Sequence, residues 1–163
     1  MSTGRPLRLC ARDEEDLAVI AACLQDARVP AREMCFAATE RSFMAAFTRF
    51  QRERLADPEN REGLTQTRSA LVFQRVAAVR HRGLDLVDDD AELELLTIIA
   101  EPAAGEEGGP TAVTLVFAGD AAIRLQVDAV DCCLEDFGEA WRSRVTPCDH
   151  FAAPAAGRRG ERV

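Results

Sequence analysis

Apolar residues recur along this chain with two periods, and the switches between them lay out its elements. In LRLCA, residues 7 to 11, Leu7 and Leu9 alternate with polar neighbours, the period of a strand with one buried face. The next stretch, DEEDLAVIAACLQDA, changes period. Leu17, Ile20, Ala21 and Leu24 fall at i, i+3, i+4 and i+7, which predicts a helix with one buried face. Asp13 is placed to cap it, and Glu14, Glu15 and Asp16 load the first turn, where the exposed N–H groups favour negative charge. Pro30 marks its end in the polar stretch that follows.

Residues 33 to 50 read as a hairpin: Met34 and Phe36 alternate, ATERS supplies a polar turn, and Phe43, Ala45 and Phe47 share one face. Residues 51 to 67 are poor in apolar side chains and hold Pro58 and Gly63, which predicts a long loop. In RSALVFQRVAAVRHRG, Val72, Val76 and Val79 fit a helix, yet ALVF and the β-branched content fit a strand with a bulge; the strand is preferred. An acidic turn, DLVDDDAE, leads into the apolar strand LELLTIIAE, and PAAGEEGGP is a connector. TAVTLVFA and AAIRLQVD flank Gly119–Asp120 as a hairpin. After Asp128 as a cap, Val130, Cys133, Leu134, Phe137 and Trp141 follow helical spacing and predict a second helix, with Cys133 in its apolar stripe and Cys132 on its flank. There the cysteine pair is packing, since a free cysteine behaves as a small hydrophobe.

Strands linked by short turns, with a helix after the first strand and another at the end, predict an α+β domain. Its sheet would be mainly antiparallel or a partly closed barrel, with a closing helix that suggests a PH-like end. Residues 1–143 would form this single domain and 144–163 a frayed tail.

Composition adds exclusions. The chain has 163 residues and a net charge of −8, and its 20 basic residues are all arginine. Without lysine there is no Schiff base, lysine base or phosphate-loop lysine. An acidic chain is a poor nucleic-acid binder, because phosphate contacts need clustered positive charge. No apolar run approaches the roughly 20 residues of a membrane span, and no signal-like segment precedes the first acids, so a cytoplasmic protein is expected. In that compartment reduced thiols are the default. Charge is unevenly spread, +5 over residues 41–82 and −14 over 83–139.

Candidate chemistry is sparse. The six cysteines, 10, 23, 35, 132, 133 and 148, form no C-x-x-C. Cys148 and His150 could join Cys132 as metal ligands, but a structural zinc wants four in fixed geometry. Asp85, Asp88, Asp89, Asp90 and Glu92 fail the calcium-loop pattern, which needs glycine and glutamate where Asp90 and Leu96 stand. Arg49 and the group Arg75, Arg80, His81 and Arg82 could converge from neighbouring strands on a carboxylate or phosphate, or could pair with the acidic half of the chain. His81 is a conceivable base with no nucleophile placed beside it. Neither G-x-S-x-G, H-E-x-x-H nor G-x-G-x-x-G occurs, so no catalytic residue, cofactor or metal is expected.

Four stretches in order carry a resemblance: LRLCARDEEDLAVIAACLQDA, RSALVFQRVAAVRHRGLD, LELLTIIAEP and LVFAGDAAIRLQVDAVDCCLEDFGEAW. Together they make the chain similar to a small bacterial family known as domain of unknown function 2948, over about residues 7 to 143. The resemblance implies an intact single domain and lends no activity, ligand or residue role to any position. The expected function is a non-enzymatic binding or accessory module that contacts a protein partner or a second copy of itself. The alternative is a protein, enzyme or simple binder, that takes a small anionic metabolite through the arginine cluster.

Overall fold

The structure is a computed structural model that describes residues 5–55, 63–84, 91–102 and 111–143. The acidic turn at 85–90, the connector at 103–110 and the expected tail beyond 143 lie outside them. β1 (Arg8–Ala11) is followed by α1 (Glu14–Cys23), β2 (Arg28–Pro30), a 3-10 turn at Ala31–Glu33, β3 (Met34–Ala37) and β4 (Ser42–Phe50). A second 3-10 turn at Arg52–Arg54 precedes β5 (Thr65–Phe73), β6 (Val76–Arg82), β7 (Glu92–Pro102), β8 (Thr111–Phe117), β9 (Ala121–Val127) and β10 (Cys132–Arg142).

The strands form one antiparallel sheet in the order β1-β10-β5-β4-β2-β7-β8-β9-β6, with β3 attached to β4 off that path. Three-residue β2 joins the two halves: Arg28 faces Thr48 of β4 on one side and Glu94 of β7 on the other. Among the described residues the sheet is not closed, since β1 pairs only with β10 and β6 only with β9. Its halves nonetheless share one core. Phe47, Phe73 and Leu134 from the first half meet Leu95, Leu115 and Leu125 from the second, with Leu17 and Ile20 of α1 among them. Each such side chain stabilises the fold by roughly 1.5–3 kcal/mol relative to an exposed one.

The first helix matches its sequence pattern. Asp13 accepts a hydrogen bond from the Asp16 N–H at 2.8 Å, and Leu17, Ile20 and Ala21 are its buried face. The chain leaves the helix through Asp26 at φ 67°, and residues 28–30, read from sequence only as polar stretch and proline, form the bridging strand. The β8–β9 hairpin turns as expected, with Gly119 and Asp120 both at positive φ (81° and 66°). The segment 68–83 is strand, but two strands rather than one with a bulge. It breaks at Arg75 (φ 60°), so β5 pairs with β4 and β10 while β6 crosses to β9.

The expected closing helix is overturned. Residues 132–142 form β10, held between β1 and β5, with Cys132, Leu134 and Asp136 turned inward. Helical spacing 130-133-134-137 coexists with an alternating set, 130-132-134-136, and two neighbouring strand edges decided for the latter. Asp128 caps no helix: its N–H bonds the Arg75 carbonyl at 3.1 Å and its carboxylate pairs with Arg41 at 2.8 Å. The roles of the cysteine pair are exchanged as well. Cys132 is the buried one, and Cys133 lies on the outer face in a disulfide with Cys10. The PH-like expectation leaned on this helix and loses that support.

Candidate functional site

The inner face of β4 carries Phe43, Ala45 and Phe47 in phase, and the next residue in that phase is Arg49, which is fully buried. Its guanidinium is saturated by its own chain. Nε donates to Ser69 Oγ (3.0 Å) and Asp136 Oδ1 (2.9 Å). Nη1 donates to the Phe50 carbonyl and Glu53 Oε1, both at 3.1 Å, and Nη2 to Glu53 Oε2 and Asp136 Oδ2, both at 2.8 Å. Asp136 also accepts from the Ser69 hydroxyl and, at 3.2 Å, from the Leu7 N–H, so one cluster ties β4, β5, β10 and the residue before β1. All five N–H donors of Arg49 are engaged. One cation between two carboxylates leaves a net charge of −1, which does not invite an external anion.

The titration of these groups follows from that geometry. Burial alone would push the Asp136 carboxyl up, but bonds from Arg49 and Ser69 and the charge of Arg49 outweigh it and hold it below the usual range. Glu53 is lowered in the same way, burial being outweighed by the Arg49 bonds. Burial opposes the charge on Arg49, yet its bonds to Asp136 and Glu53 raise it further above the ordinary arginine value. Nearby Cys23 at the end of α1 is pushed up, mainly by burial, so its thiol is not activated. Cys132 is pushed up more strongly, by burial and then by Asp131.

The remaining candidates do not meet Arg49. Arg75 sits at the β5–β6 corner, 3.8 Å from Asp131. Arg80, His81 and Arg82 are exposed on β6, and strand alternation sends His81 to the opposite face from the two arginines. His81 lines a cavity with Val79 and Ile123, whereas Arg80 stands opposite Arg124 of β9. Of the metal candidates, Cys132 is buried and Cys148 and His150 lie outside the described residues. The uneven charge of the sequence is also folded away in part. Arg41–Asp128, Arg49–Asp136, Arg75–Asp131 and Arg82–Asp120 each join the basic segment to the acidic one.

What sequence reading missed is the outer face of β1, β10, β5, β4 and β3. The registers align Cys10, Cys133, Val72, Met44 and Cys35 in one row across five strands. Met44 remains 44% exposed there, and Phe137 and Trp141 further along β10 remain 43% and 41% exposed. Gly138 at φ 76° makes the bulge between the last two and re-aims the strand end. Arg68 lies 5.4 Å over the Phe137 ring and also pairs with Glu33. The alternation of β4 and β5 held the signal for this row, but its β10 members were hidden by the helical reading.

Among the described residues no helix is long and apolar enough to cross a membrane. Residues 7–149 match the family model described as "Protein of unknown function (DUF2948)". No curated protein and no solved structure matches the chain. With nearly the whole described fold inside the matched span, the chain belongs to the DUF2948 family.

Proposed function

We propose that this protein is a non-enzymatic binding module that works through protein–protein contact. The observation that carries the reading is the outer sheet face, where Met44 stays exposed in the Cys10–Cys133 and Val72 row and Phe137 and Trp141 stay exposed further along β10. Exposed large apolar side chains gathered on one sheet face among polar ones mark interaction surfaces, and aromatic residues dominate the energetics of such surfaces. The polar groups inside the fold support a binding role over catalysis. The best-placed cation is consumed by two internal carboxylates, and the inward thiols are held protonated.

Cys35 lies on the same row and is an exposed free thiol, which gives the test its handle. A photo-crosslinker on Cys35, in a Cys148→Ser background, should yield one discrete adduct in native extract. Its mass distinguishes a second copy from a different protein. Met44→Glu with Phe137→Glu should reduce the adduct at least about tenfold, since losing two interface anchors costs more than 1.4 kcal/mol. An adduct no stronger than from a crosslinker on α1, or one indifferent to the double substitution, overturns the reading.

A second reading, a small-anion site, keeps one observation. Arg80 and Arg124 are direct cross-strand neighbours, with Glu101 3.8 Å from Arg124, and like charges so placed favour a further anion beside them. It expects inorganic phosphate to raise the melting temperature and Arg80→Ala to abolish the rise. No shift with phosphate or with a simple dicarboxylate ends it.

A further inference from the structure

The sheet is open between β3 and β6. Among the described residues β6 is its last strand and pairs only with β9, and β3 pairs only with β4, so each presents a backbone edge that no described strand covers. At one end the seam is pinned, because the Val76 N–H donates to the Arg41 carbonyl at 2.9 Å and Arg41 binds Asp128. Beyond that pin lies a groove of about 180 Å³, lined by Met34, Cys35 and Phe36 on the β3 side, Val79 and His81 on the β6 side, and Phe43 and Ile123. On its paired side the end of β6 packs closely on the β8–β9 turn: a Cβ at Gly83 (φ 71°) would lie 2.9 Å from the Asp120 carbonyl oxygen.

We infer that β6 accepts an extended segment of a partner protein as an added strand, with apolar side chains facing the groove and acidic side chains alternating with them on the other face. An unpaired edge needs backbone donors and acceptors at strand spacing, which an extended polypeptide supplies. Strand addition carries the pleat of β6 into the newcomer, so its side chains alternate as those of β6 do. On the groove side they meet Val79 and His81. On the other they lie beside Arg80 and Arg82, where no acid occurs in residues 75–84. Arg80 faces Arg124 across its paired side, Arg124 itself lying 3.8 Å from Glu101, and among the described residues Arg82 has Asp120 at 3.9 Å, both of that pair's side chains being largely exposed. A cross-strand carboxylate on the free side supplies Arg80 with a counterion. The inference deepens the protein-binding reading, on which it rests, by naming a partner chemistry at a second surface.

The test uses the full chain and a fluorescein-labelled nine-residue peptide alternating leucine and glutamate. Saturable binding by fluorescence anisotropy is expected, and N-methylation of alternate amides should abolish it in one phase and spare it in the other. Arg80→Glu with Arg82→Glu, both exposed, should weaken binding on the order of tenfold and favour the lysine version of the peptide, two cross-strand charge reversals being worth about that much. Met44→Glu with Phe137→Glu, on the other surface, should leave peptide binding unchanged. No binding, or binding equally sensitive to N-methylation in both phases or in neither, overturns the inference. So does loss of peptide binding in the Met44 and Phe137 variant. Because Cys35 also borders the groove, the two readings are separated by the variants: a Cys35 adduct lost with Met44→Glu and Phe137→Glu reports the outer face, and peptide binding lost with Arg80→Glu and Arg82→Glu reports β6.

Discussion

Asp136→Ala should lower the unfolding free energy by about 3–5 kcal/mol, the cost of breaking a buried ion pair from one side. The substitution strands a fully buried guanidinium with only half-exposed Glu53 as a counterion, and it takes an acceptor from Ser69 and from the Leu7 N–H. Arg49→Met combined with Asp136→Leu should recover most of the loss, because removing both charges removes the desolvation penalty as well. Urea titration of the three proteins decides it; equal losses in the single and double variants would show that shape, not charge, is what the cluster supplies.

The same cluster sets the acid side of the stability profile. Asp136 and Glu53 have folded values below their unfolded ones. In the acid range the unfolded chain therefore binds more protons, and stability rises with pH. The contribution is complete above the unfolded carboxylate range of about pH 4 and is lost as pH falls through the depressed folded values. The urea midpoint of the parent should fall steeply below about pH 4, and that of Asp136→Asn, starting lower, should fall less. Parallel profiles would refute the assignment.

Opening the Cys10–Cys133 link should cost about 2–4 kcal/mol. The bond joins residues 123 apart in sequence, and closing so long a loop restricts the unfolded chain more than a short one. Locally it holds an edge. β1 has four residues and one partner strand, and the linked cysteines are directly opposite in that pairing. Reduction should therefore speed amide exchange in residues 8–11 more than in β5, which is paired on both sides. Alkylation of the denatured, unreduced protein should leave Cys10 and Cys133 unlabelled. Labelling of both, or a Cys10→Ser variant as stable as the parent, would show that the bond does not form in solution. The reduced state expected from sequence holds at Cys23, Cys35 and Cys132 and not at this pair. Strand pairing across 123 residues, invisible to local pattern, is what brings the two sulfurs together.

Elements whose cause lies within a few residues were legible from sequence. Asp13 and the Leu17–Ile20–Ala21 stripe set α1, two positive-φ residues set the β8–β9 turn, and alternation set β4 and β8. Arg49 was legible in part. Its phase with Phe43, Ala45 and Phe47 already places it inside, though nothing local names Asp136 as its counterion. Tertiary structure decided the rest. Residues 130–137 satisfy a helical and a strand template together, and only the waiting edges of β1 and β5 separate them. The split of 68–83 into two strands, the bridging role of Arg28 and the seam between β3 and β6 depend on which distant edge each segment finds. A period of two says which side chains point inward; it does not say which strand lies alongside, because backbone hydrogen bonds are the same for every partner.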